Sequence, residues 1–219
     1  MISFFHYYLR KLKNFSSYSL KQKYEKIYET IYAIIDSKIL INKNDKVLFI
    51  DLGSNLGQGY EWFSKFFKGP NIHFELFEPN PYCYKKLKEL KDLKEKKIHI
   101  NNLGAGVEDG TVKFYGLYEN KYSQAGSILE EHKSMFNTTN DEHYIEVEVF
   151  DFVNYLIEKK KEFDKIIIKF DIEGIEIEIL EKLISTKVVE FVDIIYVEFH
   201  SQYLEPEISK KRRKRELQI

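Results

Sequence analysis

Apolar side chains recur every third or fourth position between Ser19 and Leu40, at Leu20, Tyr24, Ile27, Tyr28, Ile31, Ile34, Ile35 and Ile39. That period puts them on one face and predicts an amphipathic helix, with Ser19 and Gln22 spaced as a capping box at its start. From Lys46 the pattern changes. Short apolar runs at Lys46–Asp51, Ile72–Phe77 and Ile98–Ile100 alternate with helix-period segments at Gly57–Phe67 and Pro81–Leu93. The pattern resumes with Glu146–Phe150, a helix from Asp151 to Lys160, the run Lys165–Asp171, a helix over Ile175–Ile184 and the run Val192–Phe199. Such alternation predicts a doubly wound α/β domain around a parallel sheet. Ile166–Ile168 and Ile194–Val197 do not alternate with polar residues, as expected of central strands covered on both faces. Between Gly116 and His143 the periodicity disappears, which predicts a lid or a mobile loop.

The pattern divides the chain into an N-terminal helical extension, residues 1–44, and one α/β domain, residues 45–219. The length of 219 residues suits this division, and 43% hydrophobic with 16% aromatic residues is enough to build a core. The formal net charge of -1 provides no basic field for nucleic acid, so a small-molecule or neutral substrate is expected. The single cysteine, Cys83, rules out an intrachain disulfide and makes the cytoplasm the default location. No apolar run approaches the ~20 residues of a membrane span, and the aromatics of the first residues precede the basic ones, the reverse of a secretory signal.

Two flanking patterns stand outside this frame. Phe4, Phe5, Tyr8, Leu12 and Phe15 form an aromatic stripe beside Arg10, Lys11 and Lys13. It is expected to cover the substrate mouth or meet a partner, with peripheral membrane contact as the alternative. Lys210–Arg215 is a basic cluster, expected to be a solvated helix face.

The candidate chemistry begins at Asp51-Leu-Gly53-Ser-Asn55-Leu-Gly57-Gln-Gly59, an acidic residue at a strand end followed by a glycine turn into a helix. Glycine lets backbone approach a ligand closely. The spacing is G-x-x-x-G-x-G rather than the G-x-G-x-x-G of dinucleotide sites, and a carboxylate before the first glycine suits a cationic amino-acid group better than a phosphate. S-adenosyl-L-methionine carries such groups. The second strand ends at Glu78, followed by Pro79, Asn80 and Pro81, and a carboxylate there can accept both hydroxyls of a ribose. Lys169, Asp171, Glu173 and Glu176 at the end of the fourth strand, with His200 after the fifth, would face the same crevice. His200 has the pKa range of a general base. Asp171 and Glu173 either orient an acceptor or, with His200, hold a divalent cation; the assignment adopted contains no metal.

Phe49–Gly59, Phe77–Pro81, Asn102–Gly110 and Lys169-Phe-Asp171-Ile-Glu173-Gly174-Ile-Glu176 together resemble the successive motifs of the FkbM family of methyltransferases. The resemblance implies a seven-stranded Rossmann-like sheet, S-adenosyl-L-methionine as donor, and a hydroxyl acceptor on a sugar or metabolite. It further implies that Asp51, Gly53, Asn55 and Gly57 hold the methionine moiety, Glu78 the ribose, and Asn102 with Gly104 the adenine edge. Gly104 stands where the family commonly has alanine. About twenty residues follow the fifth strand, too few for the family's final hairpin, so a cut chain or an edge completed by another copy in a homo-oligomer is expected. The competing classes are a non-catalytic nucleotide-binding or assembly subunit and an NAD-dependent oxidoreductase.

Overall fold

The computed structural model describes residues 27, 30–38, 40–90, 97–117, 121–123, 126–130, 132 and 144–219. The aromatic stripe and the capping box at Ser19 lie outside the described residues. Residues 30–38 are helical (α1), so the described part of the predicted amphipathic helix is present. The strands are β1 (Val47–Leu52), β2 (Ile72–Phe77), β3 (Lys97–Asn101), β4 (Gly104–Gly106), β5 (Gly110–Tyr115), β6 (Tyr144–Asp151), β7 (Lys165–Phe170) and β8 (Ile194–Val197). The helices are α2 (Gln58–Phe63), α3 (Pro81–Leu87), α4 (Phe152–Lys160), α5 (Glu176–Ser185) and α6 (Pro206–Glu216).

Five strands form a wholly parallel sheet in the order β3-β2-β1-β7-β8. Side chains along β1 alternate between two cores, because successive strand residues point to opposite faces. Val47 and Phe49 pack with Tyr60, Phe67 and Phe74 on one face, while Leu48, Ile50 and Leu52 pack with Phe152, Leu156 and Ile179 on the other. Burial on both faces explains the unbroken apolar runs. Strand order reverses between β1 and β7. In sheets of this kind the crevice outside the strand ends at the reversal is where ligands bind.

The run at 146–150 belongs elsewhere than the main sheet. β6 forms a separate three-stranded sheet, parallel to β4 and antiparallel to β5. β4 and β5 are absent from the sequence reading because β4 is three residues long and β5 exposes Gly110, Thr111 and Lys113. This small sheet explains Gly104. A Cβ there would lie 3.1 Å from Val149 Cγ1, so the glycine makes room for the valine paired with it in register.

Helix starts follow the sequence. Asn80 accepts from the Tyr82 amide at α3, which has proline in its first turn, and Asp151 accepts from Val153 and Asn154 at α4. The basic cluster in α6 departs from a purely solvated face. Arg212 is buried and grips Glu178 through both guanidinium nitrogens at 2.7 Å, and it also donates to the Gly174 carbonyl. Arg215 pairs with Glu178 and Glu181. These contacts dock α6 on α5, while Lys210, Lys211, Arg213 and Lys214 remain exposed. Among the described residues no helix is long and apolar enough to cross a membrane.

Candidate active site

Two turns leave the sheet at its reversal point. Register places Asp51 of β1 beside Lys169 of β7, on the same face of the sheet. The Lys169 Nζ lies 3.1 Å from Asp51 Oδ1 and 3.1 Å from Asp171 Oδ2, joining the two turns. Burial works against the lysine's charge, but Asp171 and Asp51 outweigh it and hold the proton more firmly than usual. The Asp171 carboxyl is likewise opposed by burial and is held below its ordinary value by Lys169 and His200.

Gly53 is required by geometry. Its φ is +76°, and a Cβ would fall 1.8 Å from the Asp171 carbonyl oxygen, so only glycine lets the two turns touch. The amides of Gly53 and Ser54 both donate to the Phe77 carbonyl, which fastens the loop to β2. Asn55 then adopts a left-handed φ of 47°. Its backbone amide donates to Glu78 Oε2 at 2.7 Å, and the Asn80 amide donates to Oε1 at 2.8 Å. Each oxygen of this buried carboxylate therefore accepts one amide and retains one further lone pair. Burial pushes the Glu78 carboxyl up to about 7, against the pull of those two amides.

A cleft of about 550 Å³, open to solvent, lies over these groups. Gly53, Asn55, Glu78 and Gly104 line it, as do Asp171 and Glu173 on the opposite turn. Phe77, Pro79, Leu103, Phe114 and Ile128 supply apolar surface. The described part of the 116–143 segment packs against it. Ser123 accepts from the Asn55 side chain, Lys121 from that of Asn80, and Ser127 Oγ donates to the Glu173 carbonyl at 2.5 Å.

Some predicted residues sit differently. Asp51 is fully buried and does not line the cleft. Asn102 also stands back from it, with its side-chain nitrogen donating to the carbonyls of Glu78 and Pro79 at 2.8 and 2.9 Å. Gly57 is the left-handed residue that opens α2.

His200 is almost wholly buried, with Nδ1 2.8 Å from Glu176 Oε1 and Nε2 turned toward Asp171, Glu173 and Glu198. Burial disfavours its charge, but Glu176, Glu173 and Asp171 overcome this and push its pKa up to about 9. At neutral pH this ring carries a proton, so it is not the free base expected from the unperturbed imidazole value. Asp171, Glu173 and Glu176, expected to face one crevice with His200, do surround its ring. Glu176 fixes the ring, and the i, i+2 spacing of Glu198 and His200 was a readable signal that both project from one side of a strand end. His132, buried with Nε2 3.1 Å from Glu173 Oε2, lies in the unpatterned segment and gave no signal.

The donor set can be compared with the demands of S-adenosyl-L-methionine. Among the described residues Asn55 Oδ1, in the cleft wall, is buried without a hydrogen-bond partner, and Glu78 keeps a further acceptor site on each oxygen. Buried acceptors facing a cleft fit a ligand rich in donors, such as an ammonium or a vicinal diol. The residues present fit the group.

The strand order, the glycine turn after β1 and the carboxylate at the tip of β2 define the Rossmann-like class of α/β domain. Residues 51–211 match the model of the methyltransferase FkbM domain, and the chain belongs to that family. The methyltransferase FkbM from Methylobacillus flagellatus KT is a similar solved structure, with 16% sequence identity and a TM-score of 0.44. The match covers 73% of this chain and 34% of that one, so this chain spans about a third of the relative's length. No functionally curated protein is similar enough to match.

Proposed function

We propose that this domain transfers the methyl group of S-adenosyl-L-methionine to a hydroxyl of a sugar, glycan or small metabolite. The observation that carries the reading is Glu78, a residue of the cleft wall whose two carboxylate oxygens are each fixed by one backbone amide and each retain a further lone pair. The bound donor would supply an electrophilic methyl on a sulfonium. The chain's own residues then have distinct tasks. Glu78 accepts the two ribose hydroxyls. Asn55 and the Gly53 turn hold the amino-acid end, with Gly57 opening the helix behind it. Gly104 and its neighbours line the adenine pocket, while Asn102 positions the Glu78-Pro79 backbone and Asp51 positions Lys169.

Asp171 and Glu173 lie on the facing turn, where Asp171, paired with Lys169, orients the acceptor and Glu173 takes up its proton. Methyl transfer depends chiefly on alignment, for which groups held by Gly53, Lys169 and Ser127 are well suited. The test is transfer of labelled methyl from S-adenosyl-L-methionine to extracted metabolites and glycans. Labelled product with alkali-stable ether chemistry is expected. Label recovered only as an ester or amine product would reject hydroxyl transfer, and no transfer to any fraction would favour a non-catalytic subunit.

A further inference from the structure

The geometry points to a divalent cation site formed by Asp171, Glu198 and His200, with Glu173 beside them. One donor atom from each of Asp171, Glu198 and His200 lies within 4.8 Å of the others. His200 Nε2 is 3.5 Å from Asp171 Oδ1, 3.5 Å from Glu173 Oε1 and 3.9 Å from Glu198 Oε1. These separations are long for hydrogen bonds, whose N–H···O distances centre near ~2.9 Å. They suit atoms arranged around a common ion. Ligands at ~2.1 Å from an octahedral cation lie about 3.0 Å apart when cis and about 4.2 Å apart when trans.

The second observation is independent of the acidic groups that face Nε2. The His200 side chain is 3% exposed, and its Nδ1 hydrogen-bonds to Glu176 Oε1, itself on a buried side chain that also accepts from the Gly174 amide. A carboxylate that accepts a hydrogen bond from Nδ1–H fixes the ring plane and aims Nε2 at the cluster, the usual support for a metal-bound histidine, and an arriving cation would displace the proton that Nε2 carries at neutral pH. Lys169 neutralises the cluster only in part. It lies on Asp171 Oδ2 and is shared with Asp51, whereas the other oxygen, Oδ1, is the one that faces His200. His132 contacts Glu173 through Oε2 and leaves Oε1 toward His200.

Two or three carboxylate oxygens with one imidazole nitrogen favour Mn²⁺, with Mg²⁺ as a weaker occupant. The position borders the cleft lined by Asp171 and Glu173. An ion held there would lower the pKa of a coordinated hydroxyl, and this role, unlike the binding itself, rests on the methyl-transfer reading.

The test needs no methyl donor. Purified full-length chain is stripped with chelator and titrated with Mn²⁺, following the free ion by electron paramagnetic resonance. One ion per chain is expected, with modulation from a directly bound nitrogen in the spin-echo spectrum. His200→Asn should abolish that modulation, and Glu198→Gln, a change at a half-exposed side chain, should weaken binding about tenfold or more. Circular dichroism of each variant reports the fold. Absence of stoichiometric binding by the wild type, or binding unchanged in Glu198→Gln, or a spectrum without nitrogen modulation would overturn the site. None of those results would touch donor binding, which calorimetry measures separately.

Discussion

Replacing Glu78 by glutamine keeps its size but turns one of two acceptor oxygens into a donor. In the wild type the Asn55 amide reaches Oε2 at 2.7 Å and the Asn80 amide reaches Oε1 at 2.8 Å. In Glu78→Gln one amide faces an NH₂ group, and one hydroxyl of a bound ribose loses its charged acceptor. A charge-assisted hydrogen bond contributes about 1.5–3 kcal/mol. The dissociation constant of S-adenosylhomocysteine should therefore rise by about ten- to 150-fold. Titration calorimetry with the natural ligand and its 2′,3′-dideoxy analogue separates the ribose contact from damage to the loop. The wild type should lose affinity for the analogue, whereas Glu78→Gln should hardly distinguish the two ligands. A variant that discriminates between them as strongly as the wild type would refute the assignment of the ribose to Glu78.

Other outcomes follow from the same contacts. Gly53→Ala places a Cβ 1.8 Å from the Asp171 carbonyl oxygen, and chemical denaturation should show a loss of more than about 4 kcal/mol or no folded protein. Arg212→Ala removes the side-chain donor to the Gly174 carbonyl and leaves Glu178 with Arg215 alone, and should cost about 2–4 kcal/mol by the same measurement. Glu78 has its folded pKa raised from 4.5 to about 7, so its ionisation opposes folding. That penalty is absent below pH 4.5, grows as pH rises toward about 7, and amounts to about 3 kcal/mol at most. Denaturation across this range should show a flatter pH dependence for Glu78→Gln, and an identical slope would count against a raised pKa.

The sheet was legible because its strands are buried on both faces. Ile72–Phe77 has the bounds expected, and Val47–Leu52 and Lys165–Phe170 differ by a residue. The small sheet was not. Gly104–Gly106 is held by pairing with Val149, Phe150 and Asp151, partners more than forty positions away that no local period reveals. The same distinction applies at the site. Glu78 and Gly53 could be picked out because strand ends and glycine turns carry local signatures. The buried state of Asp51, the turning away of Asn102 and the raised pKa of His200 depend on contacts between distant segments. Arg212 illustrates the point from the other side. Within Lys210–Arg215 nothing distinguishes it from its neighbours, yet the helix phase buries it against Glu178 and leaves the adjacent lysines in solvent.

On the proposed function, the cleft between the Gly53 turn and the Asp171 turn takes a methionine-derived nucleoside rather than a dinucleotide. Calorimetry of the purified chain with S-adenosylhomocysteine and with NAD, side by side at pH 8 where Glu78 is mostly ionised, tests it most directly. Saturable binding of S-adenosylhomocysteine at one site per chain, with no heat from NAD, is the predicted result. Tight NAD binding with no response to S-adenosylhomocysteine would contradict the account.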